Sequence, residues 1–472
     1  MLLLSLFYGI VMIMILVLAS ILPSQYFAFP SANAGLSEPQ SNGPIINDPN
    51  LKAKIVFRGG LNFPTSMAFL GPDDILVLDK NNGTVKRIVN GTMLKDPLLD
   101  VKVATRSERG MLGIAVAPKR ENNKPTYVFL YFTESKTKDG EDVDRSIAAT
   151  EPLGNRLYRY ELADNNTKLI NPKLLLDIPT TPLAQHNGGR LLIGPDNNVY
   201  VIVGNAKFEN SQTSNVKKGI SPIGRAGILR INQDGKPVGS GILGDKDPLN
   251  KYYAYGIRNG FGIDFDPVTK KLWDTENGPT FGDEINLVRP GFNSGWHIVQ
   301  GIWKDNGEFA GPITRNPHGF VEFNGKGKYS PPEFTWFKPA VGPTAIKFLN
   351  STKLGEKYEN DMFVGDFHNG YLYHFDLNKN RTGLVLNNSL ADKIADTPNE
   401  LQKGGIIFGK RFGGITDIQV GPDGYLYVLS LYQGGDNCNP RFPDKACFSY
   451  SSSIEGTIFK IAPETNSSNF NK

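Results

Sequence analysis

Leu191-Leu192-Ile193-Gly194-Pro195-Asp196-Asn197-Asn198-Val199-Tyr200-Val201-Ile202 reads as two apolar strands joined by a tight turn. Pro195 presets φ for the turn, and the Asp and Asn residues after it tolerate a left-handed conformation. A third apolar stretch with a basic residue follows, Ile228-Leu229-Arg230-Ile231. The same order occurs from Met67 to Leu78 around Gly71-Pro72-Asp73, followed by Val85-Lys86-Arg87-Ile88. It occurs again from Ile418 to Leu429 around Gly421-Pro422-Asp423-Gly424, followed by Ile458-Phe459-Lys460-Ile461.

Degenerate copies fill the gaps: Leu112 to Ala117 with Tyr127 to Tyr131, Phe261 to Asp266 with Lys271 to Asp274, and Thr344 to Leu349 with Asp361 to Tyr373. Units of about sixty to seventy residues are too long for a solenoid. Short strands repeating six times predict radial four-stranded sheets, an all-β, six-bladed β-propeller over residues 55–462. A two-sheet sandwich with long insertions is the alternative, and sixfold recurrence argues against it. No segment carries a sustained helical period.

Composition agrees. The 472 residues include 51 Gly and 32 Pro, dispersed as many turns require, with 39 % hydrophobic and 21 % charged residues. A formal charge of +4 is small for this length and gives no footprint for nucleic acid.

Met1 to Leu22 contains no charged residue and is almost wholly apolar; Pro23 and then Ala32-Asn33-Ala34 follow, resembling a signal-peptidase site. Residues 1–34 read as a secretion signal or, if uncleaved, an N-terminal membrane anchor through residues 1–22. Either way the body of the protein is expected outside the cytoplasm, secreted or tethered to the outer membrane face. Residues 35–54 read as a flexible tether and 463–472 as a polar tail. Cys438 and Cys447, the only cysteines, lie close enough in one loop for a disulfide, with two free thiols as the alternative. Sequons such as Asn82-Gly83-Thr84 and Asn350-Ser351-Thr352 permit glycosylation.

Hydrolase elbows, His-Glu-x-x-His, P-loops and Cys-x-x-Cys are all missing from the chain, so a nicotinamide site of the usual kind is not expected. The polar candidates stand at blade starts instead. Gln185-His186-Asn187-Gly188-Gly189-Arg190 offers one of only five histidines beside glycines that admit a ligand. A neutral imidazole can take a proton from an alcohol, though a lone His is as readily structural. Arg258-Asn259 between Gly256 and Gly260 can grip a carboxylate or a quinone oxygen, or satisfy turn carbonyls. Glu276-Asn277-Gly278-Pro279-Thr280-Phe281-Gly282-Asp283-Glu284 offers oxygens of the kind Ca²⁺ takes, or is an ordinary acidic turn.

Together with Glu108-Arg109-Gly110-Met111-Leu112-Gly113 and Gly291-Phe292-Asn293-Ser294-Gly295-Trp296, these stretches resemble the glucose/sorbosone dehydrogenase family, which includes soluble pyrroloquinoline-quinone (PQQ) sugar dehydrogenases. The resemblance spans about residues 55–462. It implies oxidation of an aldose or related polyol, with hydride passing to the quinone and electrons to an external acceptor. It implies His186 as general base, Arg258, Asn259, Asn205 and His368 around the cofactor, and Glu108 and Gln185 at the substrate. It further implies that Gly278 and Pro279 hold a Ca²⁺ by their carbonyls and that Glu284 holds a structural Ca²⁺.

Two departures stand out. His368 occupies the place of a family lysine, and Phe412 to Asp417 lacks two family arginines, with Lys410 and Arg411 the nearest substitutes. Two other functions fit the same scaffold: a non-catalytic surface propeller binding glycan or protein, and a Ca-dependent hydrolase or lactonase.

Overall fold

The computed structural model describes residues 43–118, 125–135, 152–303, 318–338, 340–431 and 455–464. The expected leader and the Cys438–Cys447 pair lie outside them. Among the described residues the chain is almost entirely strand, with one short α-helix, Pro398–Lys403. No helix there is long and apolar enough to cross a membrane.

Hydrogen bonding separates six sheets of at least four strands. Each repeat found in the sequence supplies the first strands of one sheet. The innermost strands are Pro64–Gly71, Met111–Val116, Leu191–Ile193, Gly260–Phe265, Pro343–Phe348 and Gly414–Val420. Each touches the next, and the last touches the first, so the ring closes as a propeller. Counted radially the blades number five, whereas hydrogen bonding gives six sheets. The cores decide for six: six separate apolar clusters occupy the six seams between neighbouring sheets. The second strands are buried on both faces, which is why Val199–Val203 is continuously apolar, and Leu426–Leu431 nearly so with Ser430 the exception, rather than alternating.

The basic residue that recurs on the third strand has a local explanation. Arg87 pairs with Asp74, Arg230 with Asp196, and Lys460 with Asp423, so each reaches back to the acidic residue of its own blade's turn. Tyr200 and Tyr427 donate to the same aspartates at 2.9 Å. Asn197 and Gly424 take the left-handed position in their turns, and Asp73 takes it one residue earlier in the first copy.

Part of the stretch expected as a tether, residues 35–54, is strand. Ile45–Ile46 pairs with Gly409 and Lys410 at the edge of the fifth sheet. Leu51–Asn62 is the outer strand of the sixth, paired with Glu455–Pro463. The two ends of the described domain thus share one blade and lock the ring. Asp48 fixes the corner between these strands, accepting from Asn50 N at 2.9 Å and from Tyr358 Oη at 2.9 Å.

Glycines decide how closely the second and third blades approach. A Cβ on Gly113 would sit 1.8 Å from the Gly189 carbonyl oxygen, and one on Gly189 would sit 2.8 Å from Leu112 Cβ. Gly113→Ala should therefore destabilise the protein by about 3 kcal/mol, the upper end of overpacking costs. Chemical denaturation measures it, and an unchanged midpoint would show that this seam has slack.

Candidate active site

Inner strands begin, and second strands end, at one mouth of the ring. A cavity of about 450 Å³ opens there, walled by residues from all six blades, among them Phe63, Lys80, Glu108, Asn259, His368 and Thr416. Phe261 and Phe367 add aromatic faces. Of the expected site residues, Glu108, Asn259 and His368 stand in this wall, while His186, Arg258 and Asn205 are buried directly behind it.

Glu108 ties the two layers together. Its Oε2 accepts from the His186 N–H at 2.7 Å and from Asn259 Nδ2 at 3.2 Å. Burial raises its pKa, and the His186 amide bond opposes that. His186 sits at φ 60°, a strained conformation for a residue with a side chain. The Glu108 bond on one side, and the Ala206 N–H on the His186 carbonyl at 3.0 Å on the other, hold it there. Gln185 is half-buried next to it, following Ala184, whose carbonyl accepts the Glu108 N–H at 3.2 Å.

The imidazole tautomer follows from its neighbours. Asn205 Oδ1 accepts from the Lys207 backbone N–H at 2.9 Å, which fixes that atom as oxygen. His186 Nδ1 lies 2.7 Å from the same Oδ1 and must therefore carry the proton. Nε2 is left with its lone pair. Burial, and then the Arg258 charge, push the imidazole pKa down to about 3, so the ring is neutral at physiological pH.

That shift has a consequence for stability. The unfolded chain takes up a proton near pH 6.5 and the folded one only near 3, so this contribution to stability is lost as pH falls between those values. NMR titration should show the His186 ring neutral down to about pH 4; titration near 6.5 would contradict the buried geometry.

Arg258 turns inward. Its Nη1 donates to the Asn277 carbonyl at 2.8 Å and the Gly278 carbonyl at 2.7 Å, and its guanidinium lies 5.2 Å from the Trp296 ring. Arg258 and the Gly278 turn are thus brought together as expected. The Gly278 carbonyl, expected with Pro279 to hold Ca²⁺, is bonded to a guanidinium. A cation seated on it would need Arg258 to release it.

The better oxygen set lies deeper. Glu284 Oε1 accepts from Gln300 Nε2 at 2.9 Å and Gly301 N at 2.6 Å, and its Oε2 from Asn286 Nδ2 at 3.0 Å. Ser294 Oγ stands 2.6 Å from Glu276 Oε2 and 3.2 Å from Glu284 Oε2. Asp274, fully buried, has no hydrogen-bond partner on either carboxylate oxygen, and the Asn286 Oδ1 is also unpartnered. Burial pushes all three carboxyls up, Glu276 to about 7 and Asp274 and Glu284 well above the usual range, with mutual repulsion adding to Asp274 and Glu284. Unpaired buried carboxylates of this kind suit an oxygen-seeking divalent cation.

The two substitutes for the missing arginines do not reach the cavity. Lys410 Nζ bonds Gln402 Oε1 at 2.8 Å on the outer strand of the fifth blade, and Arg411 is not in the cavity wall. The sequence reading missed Phe63 and Lys80, and gave Asn277, Phe367 and Thr416 no individual role. All of them open an inner strand or close a second strand, and that placement is the signal that finds them.

The model of the family described as Glucose / Sorbosone dehydrogenase matches residues 61–437. The chain belongs to this family. Among its relatives, the aldose sugar dehydrogenase YliI of Escherichia coli is 24 % identical over 81 % of this chain and 90 % of its own length. Quinoprotein glucose dehydrogenase B of Acinetobacter calcoaceticus is 28 % identical over 54 % of each chain. The solved soluble aldose sugar dehydrogenase of Escherichia coli, in its apo-form, matches with a TM-score of 0.62 and 20 % identity, covering 88 % of this chain and all of that one (100 %). The PQQ-bound aldose sugar dehydrogenase of Streptomyces coelicolor gives a TM-score of 0.58 at 21 % identity, covering 88 % and 98 %. At such identities the structural matches establish the propeller. Family membership rests on the sequence.

Proposed function

We propose that this glucose/sorbosone dehydrogenase oxidises an aldose sugar, or a related polyol, at the axial cavity, with PQQ as cofactor and an external electron acceptor. The observation that carries this reading is the imidazole of His186, held with Nδ1 protonated against Asn205 and with Nε2 free to accept. When bound, the quinone supplies a hydride acceptor. His186 Nε2 takes the proton of the sugar C1 hydroxyl. Asn205 fixes the ring's orientation, and Glu108 fixes its backbone while steering the Asn259 amide. The cavity volume, its aromatic walls and the Asn259 Oδ1, buried without a hydrogen-bond partner, suit a flat, polar-edged ligand.

Calcium in this reading would be held by Glu284 with Asp274 and Glu276, where it would neutralise the buried carboxylates. It takes no part in the proton transfer. The site operates outside the cytoplasm, as the apolar leader implies. Dye-linked assays with PQQ, Ca²⁺ and a panel of aldoses test the proposal: reduction by at least one sugar is expected, and none by any would sink it. A glycan-binding propeller would bind sugars without reducing dye, and a lactonase would need neither quinone nor dye.

A further inference from the structure

In three blades the residues just past the second strand line the cavity. Asn277 follows Leu272–Glu276, Phe367 and His368 follow Met362–Asp366, and Lys80 follows Asp74–Asp79; all four stand in the cavity wall. We propose that Lys80 is the carboxylate-anchoring cation of the axial cavity, supplied by the first blade from the position that Phe367, the neighbour of His368, occupies in the fifth. The inference deepens the sugar-oxidation reading and rests on it for the identity of the cofactor.

Among the described residues, two permanent cations line the cavity, Lys80 and Arg190. Arg190 is committed to structure: its Nη2 lies 2.5 Å from Asp417 Oδ1 and its Nη1 3.2 Å from Ser66 Oγ, an ion pair buried between blades. Lys80 donates to the Asn81 Oδ1 at 2.9 Å and the Thr105 carbonyl at 3.2 Å, with its ammonium 5.1 Å from the Phe63 ring centre. Only 4 % of Lys80 is exposed, so its charge sits beside the cavity in a medium that strengthens attraction for an anion.

The lysine backbone is clamped as well. Its N–H meets the Phe63 carbonyl at 3.2 Å, its carbonyl takes the Met111 N–H at 2.9 Å, and a Cβ on Gly110 would lie 2.4 Å from that carbonyl oxygen. A cation on a fixed stem is prepaid for binding. The acidic lining residue, Glu108, turns its Oε2 to the His186 and Asn259 donors, and no ion pair among the described residues joins it to Lys80. Two ligands present the carboxylate that such a site takes: PQQ itself, a tricarboxylate, and a sugar acid.

The test uses the full-length, calcium-loaded protein with Lys80→Met and Lys80→Arg, each matched to wild type in melting temperature. PQQ is titrated by absorbance, and sodium glucuronate against glucose by calorimetry. If the lysine anchors the cofactor, Lys80→Met weakens PQQ binding about 10- to 100-fold while Lys80→Arg keeps most of it. If it anchors a sugar acid, PQQ affinity holds and the preference for glucuronate over glucose is lost. Either result supports the assignment. Unchanged binding of both ligands in Lys80→Met overturns it, as does a wild type that binds neither. A wild type that binds glucuronate through Lys80 but no PQQ would keep the anchor and discard the quinone.

Discussion

Replacing His186 by Gln is expected to slow sugar oxidation about 10²- to 10⁴-fold, the range for losing a positioned general base. The substitution keeps a polar side chain of similar reach, so the Asn205 contact and the fold should survive. What disappears is the unprotonated nitrogen that the Lys207–Asn205–His186 relay sets aside. The loss should fall on kcat, with PQQ affinity within a few-fold of wild type. Steady-state kinetics beside a cofactor titration separates the two. Equal losses in cofactor binding and in rate would mean that His186 shapes the pocket and does not accept the proton.

The second large effect concerns the buried acids. Three carboxyls, Asp274, Glu276 and Glu284, are each 1 % exposed or less. Leaving carboxylates without a counter-charge at such depth costs several kcal/mol, and their raised pKa values express that cost. Calcium added to chelator-treated protein should therefore stabilise it, by about 2.7 kcal/mol at a hundred times Kd. Glu284→Gln should remove most of that gain. Without calcium, the same variant should be no less stable than wild type at alkaline pH, where Glu284 ionises, because it deletes a charge that repels its neighbours. Thermal melts with and without calcium measure both. A calcium-induced gain that persists in Glu284→Gln would place the ion elsewhere.

Much of the fold is legible in the repeats. The Gly-Pro-Asp turns recur because each builds the same hairpin, and Arg87, Arg230 and Lys460 recur because each returns to the turn's acid. Even the degenerate copies mark real blades. The closure was hidden, since Leu51–Asn62 alternates weakly and takes its partners from the far end of the chain. Pairing between the two ends of the domain leaves no local periodicity to read. The strand also falls partly in a stretch whose composition suggests a tether.

Within the site, His186 and Arg258 were singled out beside glycines at strand starts, histidine being scarce in this chain, while Glu108 came only from the family resemblance. The role of the Gly278 carbonyl was not legible, because a backbone oxygen's partner depends on where Arg258 points. Lys80 escaped for a related reason. Lysines are common in this chain, and nothing in Leu78-Asp79-Lys80-Asn81 marks one as buried. Only the radial arrangement, which makes the ends of distant second strands equivalent, sets it on the cavity wall.

The most direct measurement is an absorbance titration of the calcium-loaded protein with PQQ. Saturable uptake of one cofactor per chain, and bleaching of its oxidised band when an aldose is added, are the predicted results. A protein that stays colourless through the titration, or holds the quinone yet leaves it oxidised in every sugar tried, would contradict the account.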